Sequence, residues 1–258
     1  MAGSDLELFD RGEGPLVLFV HGAGIDGGLW AEDLAWLAES GRRLVAYNRR
    51  GYGGSGESPG DWRAHGDDAV ELLESLGPGV VCGHSGGALV ALDVAARRPE
   101  LVERLVLSDP LVHPRAFVTP GFVARLARIQ VVRRLRGEEA AVADWIAYVS
   151  SHGDGSPSWW DRAPESRRRR VIANAAAIFA DLGSSGAGHL GDERIRAIDR
   201  PVAILAAGLS PRFVRRSVAR LERLLPAASV EPVPDAGHAL AADDPEGFRA
   251  AFERVLAG

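Results

Sequence analysis

The chain contains few of the residues that mark a special compartment or an unusual fold. Its 258 residues include a single cysteine, Cys82, and no lysine, so the strongly basic side chains are all arginines. One cysteine excludes an intramolecular disulfide, and the position of Cys82 in an apolar run predicts a buried side chain. The lack of lysine affects the whole chain alike and is typical of coding bias, not of a functional site.

Long hydrophobic runs and an excess of positive charge are also missing. No apolar run reaches the length that crosses a membrane, and residues 1–13 lack the basic and then apolar pattern of a signal peptide. The net charge of -5 argues against a nucleic-acid partner, because neutralising phosphates requires a basic surface. We therefore expect a folded cytoplasmic protein with no nucleic acid and no membrane among its partners.

Short apolar runs typical of buried strands alternate with helical patterns along the chain. The predicted strands are residues 16–20, 44–47, 80–82, 105–107, 202–205 and 229–233, and the predicted helices between and after them are residues 29–40, 62–76, 87–98, 211–225 and 245–256. Continuous apolar strands separated by helices indicate a parallel sheet that is covered on both faces. The fold class is therefore α/β, with a doubly wound, mostly parallel sheet.

This alternation stops between residues 110 and 200. Helical patterns cover residues 121–135, 138–150 and 165–182, without a convincing strand among them. We interpret residues 111–199 as a helical lid inserted into a core of residues 1–110 and 200–258. Two segments rich in glycine and serine, residues 152–157 and 183–188, are predicted to be its flexible joints.

A G-x-S-x-G motif follows the predicted strand at residues 80–82. It reads Gly83-His84-Ser85-Gly86-Gly87 and leads into a helix of small residues. Such a motif is typical of a nucleophile elbow, where a sharp turn from strand to helix exposes the serine hydroxyl. A free serine is a poor nucleophile, so Ser85 also requires a base and a group that orients the base.

Two further loops supply the remaining parts of such a site. His238 follows the last predicted strand in an Ala-Gly-His loop, which a parallel sheet places at the same edge as Ser85, so we predict His238 as the general base. His21-Gly22 follows the first predicted strand and would by itself indicate an ordinary tight turn. Beside the other two motifs, it predicts that the amides of Ala23 and Gly86 stabilise an oxyanion.

Together these motifs resemble the α/β-hydrolase fold family, in particular its lid-bearing serine esterases and lactonases. The resemblance implies the order serine, acid, histidine, with Ser85 as nucleophile and His238 as base. Family members usually carry the acid just after the strand that begins here at Pro201, but residues 206–211 contain no carboxylate. Asp109, at the end of the preceding strand, is our candidate. The alternatives are a dyad supported by water or Ser210, or a carboxylate of the lid.

The substrate pocket is expected between the sheet edge and the lid. His21, Gly22 and the pair Trp159-Trp160 are its candidate residues, and further aromatic side chains could line it or form the core of the lid: Trp145, Tyr148, Phe179, Phe117 and Phe122. The run of arginines at residues 167–170 covers all sides of a helix, which indicates a solvated face and not an anion site.

These features favour a serine hydrolase that cleaves an ester, lactone or thioester of a small, partly hydrophobic molecule through an acyl-enzyme on Ser85. That chemistry requires neither a cofactor nor a metal. One alternative uses the same site for C–C or amide cleavage, or for a rearrangement or cyclisation in small-molecule biosynthesis. The other is a ligand receptor with vestigial hydrolysis, an option that the missing carboxylate raises. The sequence does not predict the oligomeric state.

Overall fold

The centre of the molecule is a seven-stranded sheet that is parallel except at one edge. In this computed structural model, residues 5–112, 118–184 and 190–258 are described. The strands are β1 (Leu8–Arg11), β2 (Leu16–Val20), β3 (Arg43–Tyr47), β4 (Gly79–His84), β5 (Val102–Ser108), β6 (Val202–Ala207) and β7 (Ser229–Val233). Their order in the sheet is β1-β3-β2-β4-β5-β6-β7, and β1 alone among these strands pairs in the antiparallel direction.

Helices follow most strands and also fill the long connection between β5 and β6. Those of the sheet layers are α1 (Gly27–Asp33), α2 (Trp36–Glu39), α3 (Trp62–Leu76), α4 (Gly87–Arg97), α10 (Asp192–Arg196), α11 (Arg212–Leu224), α12 (Leu240–Asp243) and α13 (Pro245–Ala257). Those of the β5–β6 connection before α10 are α5 (Pro120–Arg136), α6 (Glu138–Val149), α7 (Trp159–Arg162), α8 (Glu165–Ala173) and α9 (Ala175–Gly183). We call α5–α9 the inserted helices.

The predicted α/β class and mostly parallel sheet are confirmed, and the differences include one missed edge strand and two interrupted helices. Strand β1 was not predicted, because its sequence Leu-Phe-Asp-Arg lies at the sheet edge, largely exposed, and lacks an apolar run. The helix predicted over residues 29–40 is interrupted between α1 and α2. The helix predicted over residues 165–182 is interrupted at Asn174, whose side chain bonds to other parts of the chain.

Alternating side chains of the strands build one hydrophobic cluster on each face of the sheet. Val17 and Phe19 of β2 point into a cluster with α1, α13 and the inserted helices, whereas Leu18 and Val20 point into a cluster with α3, α4 and α11. Ile195 of α10 is buried in the second cluster. The inserted helices thus extend the first of these clusters past the carboxyl ends of the strands.

The carboxyl ends of β2, β4, β5 and β6 lie side by side at that edge, as parallel pairing requires. The loops that follow these strands, together with the loop after β7, therefore meet in one region. Within the described ranges, no helix is both long enough and apolar enough to cross a bilayer.

Candidate active site

Ser85 occupies a strained turn between β4 and α4. Its φ is 52°, in the left-handed region that side chains seldom adopt, and its amide donates a 3.0 Å hydrogen bond to the carbonyl of Ser108. The chain turns so tightly that a Cβ on Gly83 would lie 2.5 Å from the carbonyl oxygen of Gly87. The elbow geometry that the motif predicted is therefore present, and the Ser85 hydroxyl lies at the beginning of α4.

His238 lies in a buried position between Ser85 and a carboxylate. Its Nε2 is 2.8 Å from the Ser85 hydroxyl oxygen, and its Nδ1 is 2.6 Å from Oδ2 of Asp109. With the Nδ1 proton donated to Asp109, Nε2 is free to accept the proton of Ser85. This is the arrangement of a serine, a base and an orienting acid.

Asp109 reaches His238 from the end of β5 because its own backbone is strained. Its φ is 43°, and its amide donates to the carbonyl of Leu205 on β6 at 2.8 Å. Oδ2 also accepts a 2.6 Å hydrogen bond from the hydroxyl of Ser210, and Oδ1 lies 3.4 Å from the amide of Ala207. Ser210 therefore contacts the carboxylate that contacts His238, and the loop after β6 supports Asp109 from the side.

The loop after β2 packs directly against the elbow. A Cβ on Gly22 would lie 2.7 Å from the Cβ of Ser85, so a side chain at this position would displace the serine. Ala23 and Gly86, the candidate oxyanion donors, both line the cavity beside Ser85. The close approach of this loop to Ser85 therefore depends on the absence of a side chain at position 22.

The His21 ring is fully buried and bonds to the loops around it. Nδ1 is 2.7 Å from the carbonyl oxygen of Gly22, and Nε2 accepts the amide of Arg49 at 2.9 Å. Burial and the charge of Arg49 lower the pKa of His21 well below its ordinary value. The neutral His21 ring thus connects the loop after β2 to the loop after β3 beside the site.

A cavity of about 210 Å³ opens onto Ser85 beneath the inserted helices. Most of its wall is apolar; the lining residues are Ala23, Trp62, Ser85, Gly86, Leu111, Val118, Phe122, Leu126, Trp145, Val149, Asp181, Leu182 and Ser184. Phe122 and Trp145 were among the aromatic candidates, whereas Tyr148 stacks on Phe213 and Phe179 lies under Arg133. Phe117 and residues 185–188 of the second predicted joint lie outside the described residues.

Trp159 and Trp160 are placed elsewhere. The Trp159 indole donates to the hydroxyl of Ser150 at 3.0 Å, its backbone amide donates to Asp243 at 2.6 Å, and the two indole rings meet edge to face. Neither these tryptophans nor His21 and Gly22 are among the residues that line the cavity. Trp159 therefore braces the end of α6 against α12.

The arginine run at residues 167–170 is only in part the solvated face that we expected, because two of its members pair with acidic residues of the core. Arg167 pairs with Asp33, and Arg170 pairs with Asp26 and Glu32, so two of the four arginines join α8 to α1 and its cap. Arg169, in contrast, is exposed and pairs with Glu165 of its own helix. Salt bridges to acidic residues of the core decide this orientation, and these partners are distant in sequence.

Trp62 and a buried ionic cluster are the main parts of the site that the motifs did not indicate. Trp62 begins α3, and its ring would meet a Cβ on Gly86 at 2.7 Å. Asp181 of α9 accepts hydrogen bonds from Arg49 at 2.6 Å and from Tyr52 at 2.7 Å. Burial acts to raise the pKa of Asp181, but Arg49, His65 and Tyr52 outweigh it and hold that pKa well below its ordinary value.

Neither the cavity nor its surroundings offers an obvious metal site. Among the described residues, no three or more histidine, cysteine or carboxylate side chains are grouped so that they could hold a metal ion.

Two known enzymes are similar in sequence to this chain over most of its length. The chain is 26% identical to the sn-1-specific diacylglycerol lipase ABHD11 of Mus musculus, over 94% of this chain and 81% of that protein. It is also 26% identical to the 2-(acetamidomethylene)succinate hydrolase of Mesorhizobium japonicum, over 93% of this chain and 87% of that protein.

Solved structures show the same fold. A thermophilic esterase from Thermogutta terrifontis superimposes with a TM-score of 0.80 at 24% identity, covering 98% of this chain and 93% of the esterase. At sequence level, residues 17–251 match the model of a single family, which spans both halves of the core and the inserted helices. The chain belongs to the alpha/beta hydrolase family.

Proposed function

We propose that this protein is a serine hydrolase that cleaves an ester, lactone or thioester of a small, mainly apolar substrate. The observation that carries the proposal is the hydrogen-bonded line from Ser85 through His238 to Asp109, with distances of 2.8 and 2.6 Å, next to an apolar cavity. A binding protein would not require a histidine bonded on both sides to a serine and a carboxylate.

In the proposed reaction, Ser85 attacks the substrate carbonyl while His238 accepts the serine proton at Nε2. Asp109 keeps the Nδ1 proton in place and stabilises the imidazolium that forms. The backbone amides of Ala23 and Gly86 donate to the developing oxyanion. His238 then returns the proton to the leaving group, and a water molecule activated by the same ring hydrolyses the acyl-enzyme.

The volume of the cavity is suited to a compact acyl group. An apolar cavity of about 150 Å³ is known to take up a benzene molecule, so 210 Å³ is enough for an aromatic ring or a branched chain of similar size. Wall residues such as Leu126, Trp145 and Val149 offer apolar contacts. We therefore propose esters of short to medium, uncharged acids as the first substrates to examine.

The inserted helices are proposed to act as a lid. Phe122 and Leu126 of α5 and Val149 of α6 form the outer wall of the cavity, so movement of these helices would change access to Ser85. Excluding water there would strengthen the hydrogen bonds made to the oxyanion.

The test is covalent labelling with a fluorophosphonate probe, followed by intact mass measurement and an ester, lactone and amide panel. We expect one label per chain in the unmodified protein, and none in Ser85→Ala or His238→Ala. Folding of both variants is verified by circular dichroism. A folded, unmodified protein that neither accepts the label nor hydrolyses any member of the panel would overturn the proposal and favour a ligand receptor.

A further inference from the structure

His84, the residue before the candidate nucleophile, lies against the candidate base. Its ring centroid is 5.0 Å from that of His238, and on the other side it packs at 5.0 Å against Trp30. Its Nε2 is 2.8 Å from the backbone carbonyl oxygen of His238. The motif alone gave no reason to assign a role to His84, because this contact joins residues 154 positions apart.

The contact with the carbonyl of His238 determines which ring nitrogen of His84 carries the proton. A carbonyl oxygen only accepts, so Nε2 must carry the proton and donate it. Nδ1 is buried and has no hydrogen-bond partner among the described residues, which fits the unprotonated nitrogen of a neutral ring. Burial, together with the neighbouring His238, lowers the pKa of His84 to about 3. The ring is therefore a neutral donor throughout the physiological pH range.

We propose that His84 is a positioning residue that fixes the backbone of His238 relative to Ser85. The inference rests on the proposed serine chemistry and adds to it a residue that does not touch the substrate. Because His84 and Ser85 are neighbours in the elbow, the hydrogen bond from His84 links the backbone of the base to the turn that carries the nucleophile. Any shift of the elbow is transmitted to the base.

The other bonds of His238 do not provide this link. Asp109 and Ser85 bond to the two ring nitrogens, which constrains the ring but not the backbone carbonyl of His238. The preceding Gly237 is held by Asp243, a residue of α12 and not of the elbow. A displacement of about 1 Å between reacting groups can reduce a rate about 100-fold, so a bond that prevents such a shift matters for kcat.

The test compares three replacements of His84 that differ in where they place a donor. In His84→Gln the side-chain amide lies near the original Nε2, in His84→Asn it lies near Nδ1, and His84→Phe keeps a ring without a donor. We expect kcat on an ester to fall about 10- to 100-fold in the Phe and Asn variants with little change in KM. The Gln variant should retain the greater part of the activity.

Fluorophosphonate labelling of each variant reports the fraction of intact sites, and thermal unfolding reports its stability. An equal loss of kcat in all three variants, or a loss of kcat that follows the melting temperature alone, would overturn the positioning role. So would unchanged kcat in His84→Phe.

A second measurement does not depend on activity. Long-range ¹H–¹⁵N NMR spectra of the histidine rings, assigned with His84→Phe, should show His84 as a neutral ring protonated at Nε2 from pH 8 down to pH 5. A ring protonated at Nδ1, or one that titrates in this range, would overturn the inference. If the unmodified protein fails to label while this signal is present, the proposed function is refuted and the hydrogen bond is not.

Discussion

At the scale of single residues, the candidate acid is the feature that most distinguishes this site. Asp109 accepts hydrogen bonds from both His238 and Ser210 on the same oxygen, Oδ2. Ser210 lies in the loop after β6, where the resemblance to the family implied a carboxylate. The geometry favours Asp109 over a dyad of Ser85 and His238 supported by Ser210, since the Ser210 hydroxyl donates to Asp109.

Replacing Asp109 with asparagine should reduce kcat far more than replacing Ser210 with alanine. The amide of Asp109→Asn favours the wrong tautomer of His238 and does not stabilise the imidazolium, and losses of about 10⁴-fold in kcat follow from such a change in serine triads. Ser210→Ala leaves the carboxylate in place, so we expect a loss of about tenfold or less, the value of roughly one hydrogen bond. Steady-state kinetics on one ester measure both.

The matched control is Asp68→Asn, which removes a buried carboxylate that pairs with Arg50 and is not part of the line from Ser85 through His238 to Asp109. It should change stability and leave kcat near the unmodified value. If Ser210→Ala costs as much as Asp109→Asn, the acid is not Asp109 alone and the assignment fails.

At the scale of elements, loops and helices hold the site together through close backbone contacts and one buried ionic cluster. The loop after β2 approaches the elbow at Gly22, and α9 is held to the loop after β3 by Arg49 and Asp181. Both contacts join segments that are far apart in the chain. Each can be tested by a single substitution.

Alanine at position 22 should lower kcat strongly through a local shift, while the protein as a whole still folds. The added Cβ would lie 2.7 Å from the Cβ of Ser85 and 2.9 Å from the carbonyl oxygen of His84, so the elbow or the loop must shift. We expect a fall in kcat of about 100-fold. At Gly191 a Cβ would meet nothing within 4 Å, and Gly191→Ala is therefore the matched control. Similar activity in the two variants would contradict this prediction.

Removing the buried partner of Asp181 should be costly to stability. The Arg49 side chain is fully buried and that of Asp181 is 5% exposed, so Arg49→Met leaves an uncompensated charge in the interior. Breaking such a pair typically lowers the free energy of unfolding by about 3–5 kcal/mol.

The control for this variant is Arg43→Met, which breaks the exposed pair with Asp10 and should cost less than about 1 kcal/mol. Urea denaturation of both variants measures the difference. Equal, small losses would show that Arg49 does not hold the inserted helices.

At the scale of the whole molecule, buried neutral histidines link stability to pH. Burial lowers the pKa of His21, His65 and His84, in each case with a contribution from a neighbouring positive or titrating group. The unfolded chain begins to bind protons at these positions below about pH 6.5, whereas the folded chain binds them only at a lower pH. Because the unfolded state then carries more protons, stability must fall as the pH falls through this range.

We therefore expect the free energy of unfolding to decrease between pH 7.5 and pH 5.5, by up to about 1.4 kcal/mol per pH unit for each of the three histidines once the pH is below 6.5. Urea denaturation at several pH values measures this slope. His65→Gln removes one such group and should reduce the slope. Constant or increasing stability over this range would contradict the prediction.

Asp181 adds a further loss at lower pH. Its pKa is depressed in the folded state, so the stability that it provides is present above the unfolded pKa and is lost as the pH falls further. Burial raises the pKa values of Asp33, Asp68 and Asp243. Because the folded state binds protons at these three positions more readily than the unfolded state does, they increase the free energy of unfolding as the pH falls. The range from pH 7.5 to pH 5.5 is therefore where the histidines can be measured separately.

The sequence by itself determined the sheet, the elbow at Ser85 and the loop that carries His238. These features are local: an apolar run such as that of β2 forms a buried strand, and glycines around a serine permit one sharp turn. The exposed edge strand β1 lacked such a run and was missed. The interruptions of the predicted helices were missed as well, because contacts of Asn174 with distant segments help to end one of them.

The tertiary structure decided which of the candidate acids meets His238 and which other side chains surround the site. Asp109 and His238 are 129 positions apart and meet because strand order brings the loops after β5 and β7 to one edge. Arg49 and Asp181 are 132 positions apart and meet because α9 packs against the loop after β3. The same holds for the contact of His84 with His238 and for the position of Trp159 outside the cavity wall. Local sequence sets the conformation of each turn, but side-chain contacts between elements depend on how the elements pack, and no local pattern records that packing.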